Sequence, residues 1–181
     1  ISIIYITPLR ALNRDLAERL KNIARLFQFS VAVWHGDTAY SLRKKIMEDP
    51  PTILLTTPES LQVLLVKQDF KELIKPLYAI VVDELQEIIS SERGSELIVA
   101  LERIDHIVNR HIRRIAISSP LRDISVVAKH LFGFRRFETI TATTSKQYSV
   151  KVLLSDKKYR GGSFEVDPVI ETMKSLIYAN S

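Results

Sequence analysis

The segment YAIVVDELQEI, residues 78–88, runs through five apolar or aromatic positions and then sets two carboxylates, Asp83 and Glu84, side by side. Adjacent carboxylates at the end of a buried strand suit a particular chemistry. The first can hold a hydrated Mg²⁺ on a nucleotide, and the second can orient or deprotonate an attacking water. A plainer role exists for the same pair: two acids opening a helix favour its dipole, which is the commoner meaning of an isolated Asp-Glu. Three further segments bear on the choice. IIYI-TP-LRAL, TILLT-TP-ESL and RIAIS-SP-LRD each leave an apolar run through a hydroxyl residue and a proline. Thr7, Thr57 and Ser119 suit the N-cap of a following helix, and Pro8, Pro58 and Pro120 suit its first position, where a missing N–H costs nothing. In a parallel sheet such helix starts gather at the carboxyl edge, where phosphate-bearing ligands bind α/β proteins. Several on one rim beside an acidic pair point to a ligand-binding rim.

The elements that must hold these residues follow from periodicity. Short apolar runs at ISIIYI, SVAVWH, TILLT, LYAIVV and RRIAIS lack strict alternation, as strands covered on both faces do. Between them lie helical patterns, one over residues 9–27 with Leu9, Leu12, Leu16, Leu20 and Ile23 on a stripe, another over 95–108 with Leu97, Leu101, Ile104 and Val108. Strands alternating with helices predict βαβ units and an α/β fold with a mostly parallel sheet. LRDISVVAKHLFG reads as a helix stopped at Gly133, followed by strand-like FETI and YSVKVLL, the polar linker SDKKYRGGSFEVD, and a last helix around PVIETMKSLI.

Composition narrows the classes. With 181 residues, 46% of them hydrophobic, the chain can bury one sizeable core. The absence of cysteine excludes a disulfide framework and thiolate chemistry. No apolar run approaches the roughly 20 residues of a membrane span, and the opening ISIIYI lacks the basic flank of a signal peptide, so the expectation is a cytoplasmic protein with no membrane partner. A net charge of +5 favours a polyanionic partner without deciding it. His35, His106, His111 and His130 lack helical metal-pair spacing, so no metal cluster is expected, and Trp34 reads as core. Arg43 with Lys44 and Lys45, Arg113 with Arg114, and Arg135 with Arg136 read as solvated faces.

The order TPLRAL, HGDT, TILLTTPESL, VVDELQEI, ERGSELIVALERI resembles the first RecA-like domain of superfamily 2 nucleic-acid helicases, most closely the archaeal and bacterial large helicase-related group. The resemblance implies a RecA-like three-layer α/β sandwich over residues 1–155, a linker at 156–166, and at 167–181 the start of a second helicase lobe or an appended helix. It also implies roles. TPLRAL is similar to motif Ia, TTPESL to motif Ib, DELQ to the DExH box, and ISSP stands where motif III has Ser-Ala-Thr. On that basis Asp83 acts on Mg²⁺ through water, Glu84 acts on the hydrolytic water, and Gln86 completes the catalytic set. Thr7, Pro8, Arg10, Gly36, Asp37, Thr57, Pro58, Glu59 and Ser60 lie along a nucleic-acid backbone, and Ser118 and Ser119 couple the two sites. ATP and Mg²⁺ serve the intact parent; the partners are single-stranded or duplex DNA, with RNA the other candidate, and the second lobe.

The departures from that pattern are specific. None of Gly36, Gly94, Gly133, Gly161 and Gly162 is followed by lysine, so no G-x-x-x-x-G-K-[ST] phosphate loop is present. The expectation is therefore a partial motor domain, inactive as an ATPase alone and binding no cofactor by itself. Gln86 replaces the usual histidine and Pro120 the usual threonine. The alternative is a degenerate helicase homologue that binds nucleic acid or protein without catalysis. A dehydrogenase-like nucleotide binder is disfavoured, because no G-x-G-x-x-G occurs.

Overall fold

The computed structural model describes residues 1–142 except Leu9 and Arg122, and for residues 10–15 it describes the backbone. Strands β1 (Ile3–Ile6), β2 (Val31–Trp34), β3 (Ile53–Thr56), β4 (Ala79–Val82) and β5 (Arg113–Ala116) form one sheet in the order β2-β3-β1-β4-β5. Every pairing is parallel, and the register aligns Trp34, Thr56, Ile6, Val82 and Ala116 across the sheet. These residues end their strands, so the loop after each strand leaves at a shared edge. The connections supply the helices: α1 (Arg10–Phe27), α2 (Tyr40–Glu48), α3 (Pro58–Val66), α4 (Gln68–Leu73), α5 (Leu85–Ile89), α6 (Glu92–Val108) and α7 (Ile124–Phe132). Residues Ile1–Glu138 form one compact unit.

The core explains why the central strands read as apolar runs. Ile4, Ile6, Leu54, Leu55, Ile80 and Val82 are fully buried, and all but Leu55 share one cluster with Leu61, Leu64 and Leu65 of α3 and Leu97, Leu101 and Ile104 of α6. Each such side chain stabilises the fold by about 1.5–3 kcal/mol through transfer from water. Among the described residues no helix is long and apolar enough to cross a membrane.

Several expectations need correction. The strand RRIAIS is not covered on both faces: β5 is the last strand of the sheet among the described residues, burying Arg114 while Arg113 and Ile115 are exposed. Among the described side chains of α1, Ala17 and Ala24 are buried and Leu16 and Leu20 half-buried, whereas Ile23 is 45% exposed; Leu9 and Leu12 lie outside the described side chains. FETI at 137–140 forms no strand. The capping rule holds at Thr57 and fails at Ser119, since Pro120 precedes α7, whose N-cap is Asp123. The start of α1 after Pro8 involves Leu9, which lies outside the described residues. YSVKVLL, the linker at 156–166, the segment 167–181 and the boundary at 155 lie outside the described residues. Gly133 follows α7 with φ of 63°, which agrees with its reading as the stop.

An ionic cluster fastens β5 to α6 and α7. The Arg114 side chain is buried, donates to the Leu131 carbonyl at 2.8 Å and to Asp105 at 3.1 Å, and lies 2.9 Å from Glu102. Asp105 also accepts from the Ile112 amide at 3.0 Å, and Arg135 bridges Glu102 and Asp105. The hydrogen bond from Arg135, helped by Arg114 against partial desolvation, holds the Glu102 carboxyl below the usual glutamate range. A carboxylate lowered in this way contributes stability above its unfolded-state value and loses it as pH falls through its folded-state value. Arg114→Ala, which leaves Asp105 short of a buried partner, is expected to cost about 3 kcal/mol in urea unfolding. Arg135→Ala is expected to make stability fall less steeply on acidification, as read by the same unfolding curves across the acid range.

Candidate functional site

At the end of β4 the acidic pair is fixed from three sides. The Asp83 amide donates to the Ile6 carbonyl at 2.8 Å, extending the ladder with β1 by one bond. Its carboxylate accepts from the Tyr5 hydroxyl at 2.9 Å and from the Glu84 amide at 2.9 Å. Burial first, and the hydrogen bond to Asp83 second, push the Tyr5 hydroxyl well above the usual phenol range, so Tyr5 stays a donor. Glu84 takes a left-handed conformation, φ 48° and ψ 47°, which is uncommon for a residue with a side chain and costs on the order of 1–3 kcal/mol. That reversal stops the strand and starts α5 at once. It is held by two backbone bonds to the neighbouring strand end: the Leu85 amide donates to the Ile117 carbonyl at 3.0 Å, and the Ile117 amide to the Val82 carbonyl at 2.8 Å.

Gln86 then joins the acid pair to the end of β5. Its side-chain NH₂ donates to the Glu84 carboxylate at 2.5 Å, and its carbonyl accepts from the Ser118 hydroxyl at 2.8 Å and the Ser119 amide at 3.1 Å. An amide can bridge in both directions at once without titrating, which a neutral histidine does with two ring nitrogens. Asp83, Glu84, Gln86, Ser118 and Ser119 thus form one hydrogen-bonded set.

The remaining residues lie on the turns after β1, β2 and β3. The Thr7 amide donates to the Thr56 carbonyl at 3.0 Å, and the Thr56 hydroxyl to the Trp34 carbonyl at 2.8 Å, so the three strand ends are tied in sequence. Thr7 is buried. Thr57 caps α3, accepting from the Ser60 amide at 3.3 Å while donating to the Ser60 hydroxyl at 3.1 Å, with Pro58 in the first turn. Gly36 and Asp37 are exposed on the tight turn after β2, closed by the Thr38 amide on the His35 carbonyl at 3.0 Å. Arg10 opens α1, and its side chain lies outside the described residues. Glu59 pairs with Arg93; although partial burial opposes it, the hydrogen bond from Arg93 holds its carboxyl below the usual range.

Three residues of the site were not singled out from the sequence. Arg43 donates to the carbonyls of Gly36 at 2.7 Å and His35 at 3.1 Å, with its guanidinium 5.6 Å from the Trp34 ring. Its place in a basic run hid this, since charge runs usually face solvent. Tyr5 carried no polar pattern of its own. Arg93 had a legible signal: it precedes Gly94 in ERGSE, at the start of a helix.

A parallel α/β sheet whose strand-end acid pair and strand-to-helix turns share an edge is the architecture of a RecA-like motor domain. Residues 1–127 match the DEAD/DEAH box helicase family, and the chain belongs to it. It is 34% identical over 146 residues to ATP-dependent helicase Lhr-Core protein 2 of Thermococcus barophilus, covering 74% of this chain and 17% of the relative. It is likewise 34% identical to ATP-dependent helicase Lhr-Core of Methanocaldococcus jannaschii, over 84% of this chain and 19% of that protein. The chain therefore spans about a fifth of the length of these relatives. The structure of Mycobacterium smegmatis helicase Lhr bound to ssDNA and AMP-PNP superposes with a TM-score of 0.68 at 29% identity, over 75% of this chain and 19% of that one.

The Gln86 bridge makes a local prediction. Gln86→Ala removes the acceptor for the Ser119 amide, and one hydrogen bond is worth about 1 kcal/mol net. Hydrogen exchange at the Ser119 amide is expected to accelerate about fivefold, while exchange in the middle of β4 stays unchanged.

Proposed function

We propose that this chain is the part of an ATP-dependent helicase motor that carries the hydrolytic carboxylates and one wall of the nucleic-acid track. The observation that carries the reading is the bridge from Glu84 through Gln86 to Ser118 and Ser119, because it links the residue placed to act on water to the neighbouring strand end. Asp83 fits a hydrated Mg²⁺: it offers hard carboxylate oxygens at the strand end, and each oxygen that accepts a protein hydrogen bond keeps a further lone pair. Bound there, the ion would neutralise charge on the phosphates of ATP. Glu84 orients the attacking water and receives its proton, and Gln86 holds the Glu84 carboxylate in place. The wall of the track consists of the exposed turn at Gly36–Asp37 and the first turn of α3 at Glu59–Ser60, with Arg10 at the start of α1, while the buried Thr7, Pro8, Thr57 and Pro58 shape the turns that present them. Exposed polar groups and a cation in such positions grip phosphates without reading bases. The Lhr relatives, named as ATP-dependent helicases, and the Lhr structure with ssDNA support both halves of the reading. The partners are nucleic acid and a second helicase lobe.

Because the 181 residues contain no phosphate loop, the chain alone is expected to release no phosphate from ATP. The test of catalysis uses the full-length gene product with ATP, Mg²⁺ and a single-stranded oligonucleotide. Glu84→Gln is expected to lower turnover by at least about a hundredfold while oligonucleotide binding persists, as loss of a general base does. A full-length protein that binds nucleic acid and turns over no ATP would overturn the motor reading in favour of a non-catalytic binding module. For the track, Arg10→Ala is expected to weaken binding to unrelated oligonucleotides alike and to flatten the salt dependence by about one unit.

A further inference from the structure

Near the start of α6, Arg93 and Gly94 touch the turn after β1, the first turn of α3 and the end of α5. Gly94 lies so close to the end of α5 that a Cβ there would sit 2.8 Å from the Ile88 carbonyl oxygen and 2.9 Å from the Ile89 Cα. Both neighbours are backbone, which cannot swing aside as a flexible side chain does. Only glycine lets the first turn of α6 close on α5, the short helix that carries Gln86. The corner is sealed by the Ser91 hydroxyl, which donates to the Ile88 carbonyl at 2.8 Å. One residue earlier, Arg93 reaches the other way. Its guanidinium donates to the Pro8 carbonyl at 2.9 Å, on the turn after β1, and to the Glu59 carboxylate at 2.5 Å, on the first turn of α3. These partners are 85 and 34 residues distant in sequence.

We propose that Arg93 and Gly94 form a strut that makes the acid-pair helix and the two proline turns move as one piece, with Arg93 a positioning residue for the nucleic-acid track. The proposal rests on the reading of those turns as the track. The geometry suits a guanidinium in particular: its planar fork presents several donors in fixed directions and can bind a carboxylate and a carbonyl together, whereas an ammonium is a single point charge. With its Nε committed to Glu59 and its Nη2 to Pro8, Arg93 orders the turns rather than gripping phosphate itself. It also neutralises Glu59, whose bare carboxylate would repel a phosphate backbone. The strut gives a physical route between the sites, since a shift of the turns on binding nucleic acid is passed through Arg93 to α6, and through the Gly94 contact to α5 and Gln86.

The test compares the 181-residue chain with Arg93→Lys and with the double variant Arg93→Ala/Glu59→Gln, which removes the pair without changing net charge. Fluorescence anisotropy with a single-stranded oligonucleotide across a salt series reads binding, and hydrogen exchange reads the Thr7 and Ser60 amides. The double variant is expected to bind about tenfold more weakly with an unchanged salt slope, and both amides to exchange about fivefold faster while the interior of the sheet does not change. Arg93→Lys is expected to recover less than half of the lost binding on a logarithmic scale. A salt slope reduced by about one, with lysine restoring affinity, would overturn the proposal by making Arg93 a phosphate contact. Unchanged affinity and unchanged exchange in the double variant would overturn it as well. If the starting chain binds no oligonucleotide but the two amides respond, the track reading fails and the strut stands.

Discussion

Everything at the site depends on β1 being sandwiched in parallel register between β3 and β4. Parallel pairing with Ile6 opposite both Thr56 and Val82 brings three chain segments, far apart in sequence, to the same level and sends them out of the sheet in the same direction. The pairing is stabilised by the fully buried Ile4, Ile6, Leu54, Leu55, Ile80 and Val82, none of which has any chemistry of its own. A shift of one residue in β4 would exchange its two faces and carry Asp83 away from Tyr5 and Ile6. The apolar core therefore sets the position of the polar rim.

At that rim the backbone abandons regular structure within one residue, and polar side chains take over the work of the ladder. Glu84 turns back in a left-handed conformation, Tyr5 and the Glu84 amide occupy Asp83, and Gln86 spans the gap between β4 and β5. Elsewhere the same substitution of side chain for backbone occurs. Thr56 fastens β3 to β2, Arg43 holds the turn at Gly36, and Arg93 ties the first turn of α3 to the turn after β1. The left-handed Glu84 is sustained because Leu85 and Ile117 fix it from both sides.

Much of this was legible in the sequence, and the reasons it was or was not are local. The five strands were visible because a covered parallel sheet demands unbroken apolar runs, and LYAIVV and TILLT are such runs. RRIAIS misled because Ile115 and Ile117 look like core residues, although they are 42% and 47% exposed. The TP and SP repeats lie where β1, β3 and β5 end, at the same edge as the acid pair after β4, but the capping argument holds at Thr57 and not at Ser119, since a helix begins immediately after Thr57 whereas α7 starts behind Asp123. Thr7 is buried. The acid pair could be interpreted only through its company of motifs, and the Gln86 bridge was foreseeable as a capacity for hydrogen bonding but not as a link to Ser118 and Ser119. Long-range tethers such as Arg93 to Pro8 leave no periodic trace, because their partners are set by topology and not by spacing.

The central claim is that the carboxyl edge of this sheet is the surface that meets nucleic acid. The most direct measurement is a two-dimensional NMR titration of the isotope-labelled chain with a short single-stranded oligonucleotide. The account predicts that amide shifts cluster at Gly36, Asp37, Ser60 and the first turn of α1, with smaller changes relayed to Gln86 and Ser119. Shifts confined to the groove between α4 and α6 around Lys71, Ile98 and Arg103, with the rim unmoved, would contradict it.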